Sequence, residues 1–322
     1  MGRAEEVLGR VLPVRVQHAL RDSKVFGKAV DNVLMVGAGA ALVALRPSLA
    51  RDYVVGAKDS QVARGLAYGP LKRHTVDVYG DADTAPAARG ILVFVHGGAW
   101  GFGNKEMYTL HALELERRGF LVLVLNYRLY PWAKSDEQAQ DVNLALRWAR
   151  ERYPGASSTR VMGHSSGAHI SMLAAIQAAQ QGEQLCDGLL LLSGPFDIET
   201  HYDFERGRGV HELSFMKPAN GTTLEEFRAR SPVRLVRQLS VDERDLLPHI
   251  MLLHGEKDDT VPVTSTLALH RELVHIGHED LETYILERHD HVDIHTDFMF
   301  GRGHLVMALL DRFVKAPLTA RL

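Results

Sequence analysis

The chain has 322 residues, 46% hydrophobic and 24% charged, with a net charge of −3 and a pI near 6.6. Such a profile describes a globular protein with one large decorated domain or two smaller ones, and its scattered basic residues exclude nucleic acid as a partner. A single cysteine, Cys186, excludes an internal disulfide framework and a cysteine-built metal cage.

The first notable segment is "VLMVGAGAALVAL", Val33 to Leu45, an uncharged run ended by Arg46 and Pro47. As a helix rising about 1.5 Å per residue it reaches roughly 20 Å, short of a bilayer core of about 30 Å. Extending it back to Ala29 admits Asp31 and Asn32, both expensive in lipid. It reads first as a helix docked on protein, with membrane association through residues 29–45 as the alternative. The run starts well behind Met1, after Glu5 and Glu6, unlike a secretory signal; the expected location is cytoplasmic or membrane-associated. Glu6 stands where a myristoylation motif following Gly2 needs Ser or Thr. Gly37-Ala38-Gly39 hints at a dinucleotide loop, but Leu42 occupies its sixth position and no strand–helix–strand unit follows. Residues 1–69 are expected to form a helical extension, and 70–322 the main domain.

From residue 75 the pattern becomes regular. "TVDVYG" alternates as a strand, and "ILVFVHGG" and "FLVLVLNYR" are β-branched and aliphatic runs suited to strands buried on both faces. Residues 104–118 supply a helical crossover between them. Ser135 opens a helix with Gln138 at capping-box spacing, and Ala139, Val142, Ala145, Leu146 and Ala149 share one face of it. "RVMGHS" is a short strand, "AHISMLAAIQAAQQG" a helix, and "DGLLLLSG" another buried strand. Residues 195–247 are polar and irregular, with several helical turns, too long for an ordinary connection, and are expected to form a cap. "PHIMLLHG", "TSTLALHRELVHIG", "LETYILE" and "GHLVMALLDRFV" then read as strand, helix, strand and helix. Alternation of this kind predicts a mostly parallel sheet with helices on both faces.

The chemistry centres on Gly163-His164-Ser165-Ser166-Gly167, which fits G-x-S-x-G between a predicted strand and a predicted helix. In that setting the serine sits on a strained turn of an α/β-hydrolase fold. A hydroxyl is a weak nucleophile, so it needs a base to take its proton and a carboxylate to orient the base. These follow in the order acid, then histidine. In "LHGEKDDTVP" the acid is Asp258, three residues beyond the glycine that ends a strand, with neighbouring Asp259 left open. In "RHDHVDIH" the base is His291, with His289 in reserve and His295 the third of the cluster. No H-E-x-x-H spacing occurs, so neither a metal nor another cofactor is expected. Attack on a carbonyl loads negative charge on its oxygen, which preorganised N–H groups must receive. "HGGAW" after the third strand and the residue following the nucleophile place those donors at Gly98, Ala99 and Ser166. His96, His164, His169 and His254 read as hydrogen-bonded scaffold, and His164, beside Ser165, is also a candidate substrate contact. Arg128 reads as an ion-pair partner, and Trp100 and Trp132 as packing residues.

Taken together, "HGGAW", "NYRLYP", "GHSSGAHIS", "LSGPFDI", "LLHGEKDDTVP" and "HVD" resemble the prenylcysteine methylesterases. They also resemble kynurenine formamidases and other esterases of the hormone-sensitive-lipase-like group. The similarity covers about residues 70–315 and extends to the cap segments "RGRGVHELSFM" and "ARSPVRL". It implies a serine-dependent carboxylic ester hydrolase with Ser165 as nucleophile, Asp258 as acid and His291 as base. It further implies contacts from Gly97, Gly98, Ala99 and the residues flanking Ser165, and a small-molecule or lipidated-peptide ester as substrate. Plant members carry more clearly membrane-spanning N-termini, and Gln-Ser-Ala or His-Ser-Ala is the more usual elbow where this chain has His-Ser-Ser. A formamide hydrolase and a ligand binder without turnover are the competing expectations.

Overall fold

The computed structural model describes residues 62–84, 89–300 and 303–315. The expected helical extension before residue 62, with its apolar run at 29–45, lies outside the described residues. Among the described residues no helix is long and apolar enough to cross a membrane.

Eight strands form one sheet: β1 Val62–Ala67, β2 Thr75–Tyr79, β3 Ile91–Val95, β4 Leu121–Asn126, β5 Thr159–His164, β6 Gly188–Leu192, β7 His249–Gly255 and β8 Leu281–Leu286. Their order across the sheet is β1-β2-β4-β3-β5-β6-β7-β8. All pairs from β4 to β8 are parallel, while β1 and β2 run antiparallel to their neighbours. This mostly parallel sheet is the one the α/β-hydrolase fold requires. The apolar runs are continuous because both sheet faces are covered. Ile91, Val93 and Val95 of β3 enter one core, and Leu92 and Phe94 enter the other.

Helices α1 Thr109–Glu116, α2 Ser135–Arg152 and α3 Ser166–Gln180 follow β3, β4 and β5. The insertion after β6 holds α4 Ile198–Gly207, α5 Met216–Asn220, α6 Leu224–Arg228, α7 Pro232–Leu235 and α8 Val241–Asp245. Then come α9 Thr264–His275, α10 Asp293–Phe300 and α11 His304–Lys315. Residues of α2, α3 and α9 pack into one core, and residues of α1, α10 and α11 into the other. The insertion is tied to the domain by ions as well as apolar contact. Arg230 grips Asp136 of α2 with two bonds, of 2.9 and 3.1 Å, and Lys134 Nζ meets Glu226 at 2.9 Å.

Two local expectations need correction. The sheet begins at residue 62, ahead of the expected boundary at 70, because β1 is an edge strand. None of its six residues is fully buried, and a bulge between Ala63 and Leu66 breaks its alternation. An unburied edge strand carries little hydrophobic signal. The α2 capping box is also displaced. Lys134 is the N-cap and its N–H donates to Glu137 at 2.9 Å. Gln138 turns inward instead, and its role emerges below.

Cys186 is buried beside β6, and burial pushes its thiol up to about 12. Only the thiolate alkylates readily. Native protein at pH 8 should therefore take up no iodoacetamide over an hour, and one equivalent once unfolded. Rapid labelling of the folded chain would contradict this packing.

Candidate active site

Ser165 sits between β5 and α3 with φ 55° and ψ −125°, a backbone region that costs about 1–3 kcal/mol for a residue bearing a Cβ. The flanking glycines make the turn feasible. A Cβ on Gly163 would come within 2.6 Å of the Gly167 carbonyl oxygen, and one on Gly167 within 2.2 Å of the Val95 oxygen. Backbone thus passes backbone where only hydrogen fits. The Ser165 N–H donates to the Leu192 carbonyl at 2.8 Å, and the N–H groups of Ala168 and His169 return to the Ser165 carbonyl at 3.0 and 3.2 Å. The serine is strained and held from both sides.

Two distant loops meet it. His291 Nε2 lies 3.0 Å from Ser165 Oγ, and His291 Nδ1 lies 2.7 Å from Asp258 Oδ2. With the ring proton on Nδ1 facing the carboxylate, Nε2 is free to accept from the hydroxyl. Asp258 is fully partnered: its Oδ1 accepts the N–H groups of Thr260 and Val261 at 2.9 and 2.8 Å, and His254 Nε2 stands 3.2 Å from Oδ2. Burial works to raise the Asp258 pKa, but charge interaction with His291 and hydrogen bonds from His254 and His291 prevail and hold the carboxyl well below the usual carboxylate range. Asp259 is exposed, and its main-chain carbonyl accepts from Arg208.

Of the histidines in "RHDHVDIH", it is His291 that bonds the Ser165 hydroxyl. His289 pairs with Asp297 at 2.9 Å, while His295 stacks on His111 with ring centroids 4.0 Å apart. Among the described residues no group of three or more His, Cys, Asp or Glu is disposed to hold a metal ion. If hydrolysis runs through His291, His289→Ala leaves kcat within about threefold of the parent. His291→Ala then lowers it by about 10⁴-fold or more. Steady-state rates on a p-nitrophenyl ester decide between them, and a collapse in the His289 variant would reverse the assignment.

The loop after β3 abuts the serine: a Cβ on Gly97 would lie 3.0 Å from the Ser165 Cβ. The next three residues take positive φ, at 130° for Gly98, 48° for Ala99 and 62° for Trp100. Ser166, at the first position of α3, has an N–H with no intrahelical acceptor.

Two non-glycine residues in left-handed geometry need external support, and the sequence reading missed its source. Gln138 Nε2 donates to the Trp100 carbonyl at 2.8 Å, and the Tyr130 N–H donates to the same oxygen at 2.9 Å. Trp100 Nε1 donates to His169 Nδ1 at 3.1 Å, and His169 Nε2 then donates to the Arg230 carbonyl at 2.7 Å. Burial pushes His169 down to about 3, so the ring remains neutral and can both accept and donate. The chain Trp100–His169–Arg230–Asp136 therefore joins the loop to the insertion and to α2. Gln138, one helical turn before Val142 on the buried side of α2, was the available signal.

Three further residues stand as follows. Arg128 pairs with Asp141, Nη2 to Oδ1 at 2.7 Å, as expected. Trp132 is 77% exposed, so its expected packing role is corrected. His164, expected to contact substrate, is buried with Nε2 donating to the His291 carbonyl at 3.1 Å. It underlies the histidine loop and does not present its ring to a substrate. Apolar groups gather beside the loop after β3. Phe102 is 60% exposed and stands 4.9 Å from the ring of Phe215, which in turn is 5.8 Å from Tyr130. A Cβ on Gly101 would meet the Phe215 ring at 2.5 Å, so the insertion rests directly on this loop.

A family model described as BD-FAE matches residues 76–273. A probable isoprenylcysteine alpha-carbonyl methylesterase of Arabidopsis thaliana is 30% identical over 217 residues, covering 63% of this chain and 51% of its own. Its counterpart in Oryza sativa subsp. japonica is 29% identical over 261 residues, covering 76% and 62%. The chain thus spans between half and two-thirds of the length of these relatives. Among solved structures, esterase B from Lactobacillus rhamnosis superposes with a TM-score of 0.64 at 19% identity, over 89% of this chain and 95% of that one. Its fold is that of this chain.

Proposed function

The chain belongs to the BD-FAE family and carries the α/β-hydrolase fold, and from that premise we propose that it is a serine-dependent carboxylic ester hydrolase. One observation supports this above all others. An unbroken hydrogen-bond line runs from Ser165 through His291 to Asp258, with 3.0 and 2.7 Å links, at the end of a strained turn. In the proposed reaction His291 Nε2 takes the Ser165 proton as Oγ attacks the ester carbonyl. Asp258 holds the imidazolium in place. The N–H groups of Gly98, Ala99 and Ser166 receive the negative charge on the carbonyl oxygen, while Gly97 shapes the wall behind Ser165. His291 returns the proton to the departing alcohol, and water activated by the same ring releases the acyl enzyme. No cofactor enters this scheme.

For substrate we propose the methyl ester of a prenylated cysteine, alone or at a peptide terminus. The methylesterase relatives and the apolar Phe102, Phe215 and Tyr130 cluster support that choice. A fluorophosphonate probe tests the hydrolase reading: Ser165 should be labelled in the parent and unlabelled in Ser165→Ala. A folded parent that takes no label would favour a binding protein. Initial rates on a prenylcysteine methyl ester should exceed those on N-formylkynurenine and on p-nitrophenyl acetate by about tenfold or more in kcat/KM, a gap of about 1.4 kcal/mol. Faster turnover of the formamide would reassign the chain to amide hydrolysis.

A further inference from the structure

His164 is the residue before the elbow serine, and its side chain is 7% exposed. Its Nε2–H donates to the main-chain carbonyl of His291 at 3.1 Å, and its ring is tilted against the His291 ring with centroids 4.9 Å apart. It also stacks on His295 at 4.9 Å with planes 16° apart. His295 stacks on His111 at 4.0 Å, and His111 Nε2 donates to the His295 carbonyl at 3.0 Å. Four imidazoles, from β5, α1, α10 and the loop after β8, thus form one column. The proposed proton transfer uses only His291.

We infer that His164 is a positioning residue that sets the height of the His291 imidazole over Ser165. The inference rests on the hydrolase reading, and its physical basis is connectivity. Ser165 and His291 are 126 residues apart in sequence. His164 spans that gap with one residue, since its main chain carries Ser165 and its side chain holds the His291 carbonyl. Displacing a reacting group by about 1 Å can lower a rate about 10²-fold, so a short rigid tie between nucleophile and base has value. The tie requires a neutral ring with its proton on Nε2, and the carbonyl acceptor selects that tautomer. Burial, together with the nearby His291 charge, supports neutrality by pushing His164 down to about 3. His111 makes the same kind of bond one step along, to His295, and stiffens the start of α10.

A ring that merely fills space makes a different prediction. His164→Phe keeps an aromatic ring and removes the donor, whereas His164→Gln keeps an Nε2 donor and removes the ring. Positioning predicts that kcat falls about 10- to 100-fold in the Phe variant with KM within about twofold, and that the Gln variant recovers to within about fivefold of the parent. The reverse order, with Phe close to the parent and Gln poor, overturns the inference in favour of packing. A second measurement needs no variant and no activity. In full-length parent carrying ¹⁵N-histidine, the His164 Nε2–H should be protected from solvent exchange. Exchange as fast as in free imidazole overturns the tie whatever the kinetics show. A parent that hydrolyses no ester and takes no fluorophosphonate sinks the hydrolase reading separately, and proton exchange then judges the tie alone.

Discussion

Replacing Ser165 with alanine is expected to lower kcat by about 10⁴- to 10⁶-fold on any ester the parent accepts, with KM little changed. The loss is large because, in the proposed mechanism, the hydroxyl forms the covalent bond with the substrate. The hydroxyl of neighbouring Ser166 is buried. What survives should be the contribution of the loop after β3 alone. The fold should survive too, since the turn is held by the Ser165 N–H and carbonyl, which alanine retains. Alanine still bears a Cβ at φ 55°, so the strain remains. Ser165→Gly removes it and should melt a few degrees above the alanine variant while being equally inactive. Circular dichroism melting and burst kinetics measure both halves. An alanine variant retaining a tenth of parental activity would mean that another residue carries the attack.

Asp258→Asn should be the next most severe change, lowering kcat by about 10⁴-fold. The reason lies in which oxygen the backbone claims. The N–H groups of Thr260 and Val261 both donate to Oδ1, so the carbonyl oxygen of an introduced amide must stay there. Its NH₂ group then faces His291 Nδ1 and His254 Nε2 where Oδ2 stood. Donor meets donor, and His291 escapes by moving its proton to Nε2, which can no longer accept from Ser165. Asp259→Asn, on an exposed side chain, should stay within about threefold of the parent.

The same carboxylate shapes stability against pH. Its folded pKa lies below the value of about 3.9 it has in an unfolded chain. Its contribution is therefore complete above about pH 5 and is lost as pH falls below about 4 toward the folded value. Urea midpoints between pH 3 and 7 should show the parent losing more stability on acidification than Asp258→Asn. Parallel curves would mean that the Asp258 carboxylate adds nothing in this window.

Much of the architecture was legible locally. Strands β3, β4, β6 and β7 are apolar on both faces, so their composition alone announces a buried parallel sheet. The elbow and the "HGGAW" loop were legible because glycine spacing is a backbone requirement: close approach and positive φ leave few residue choices. Residues 195–247 declared themselves by length and polarity as an insertion with several helical turns, although the sequence did not fix where each short helix begins and ends. Edge strand β1 escaped notice because it buries no residue fully and so has no pattern to read.

By itself, then, the sequence determined the order of elements, the strained turn at Ser165, and the two short windows in which an acid and a base had to lie. Tertiary structure decided between neighbours inside those windows. Asp258 and Asp259 are alike in type and adjacent in sequence, yet one carboxylate is enclosed by two amides and two imidazoles while the other faces solvent. His291 reaches Ser165, and His289 turns to Asp297. His169 and His164 read as scaffold from the sequence, but what each of them holds, and the part played by Gln138, were visible only in three dimensions. The reason is physical: backbone geometry and burial write a short-range pattern into the chain, but the direction of a side chain and its partner across more than a hundred residues are set by packing.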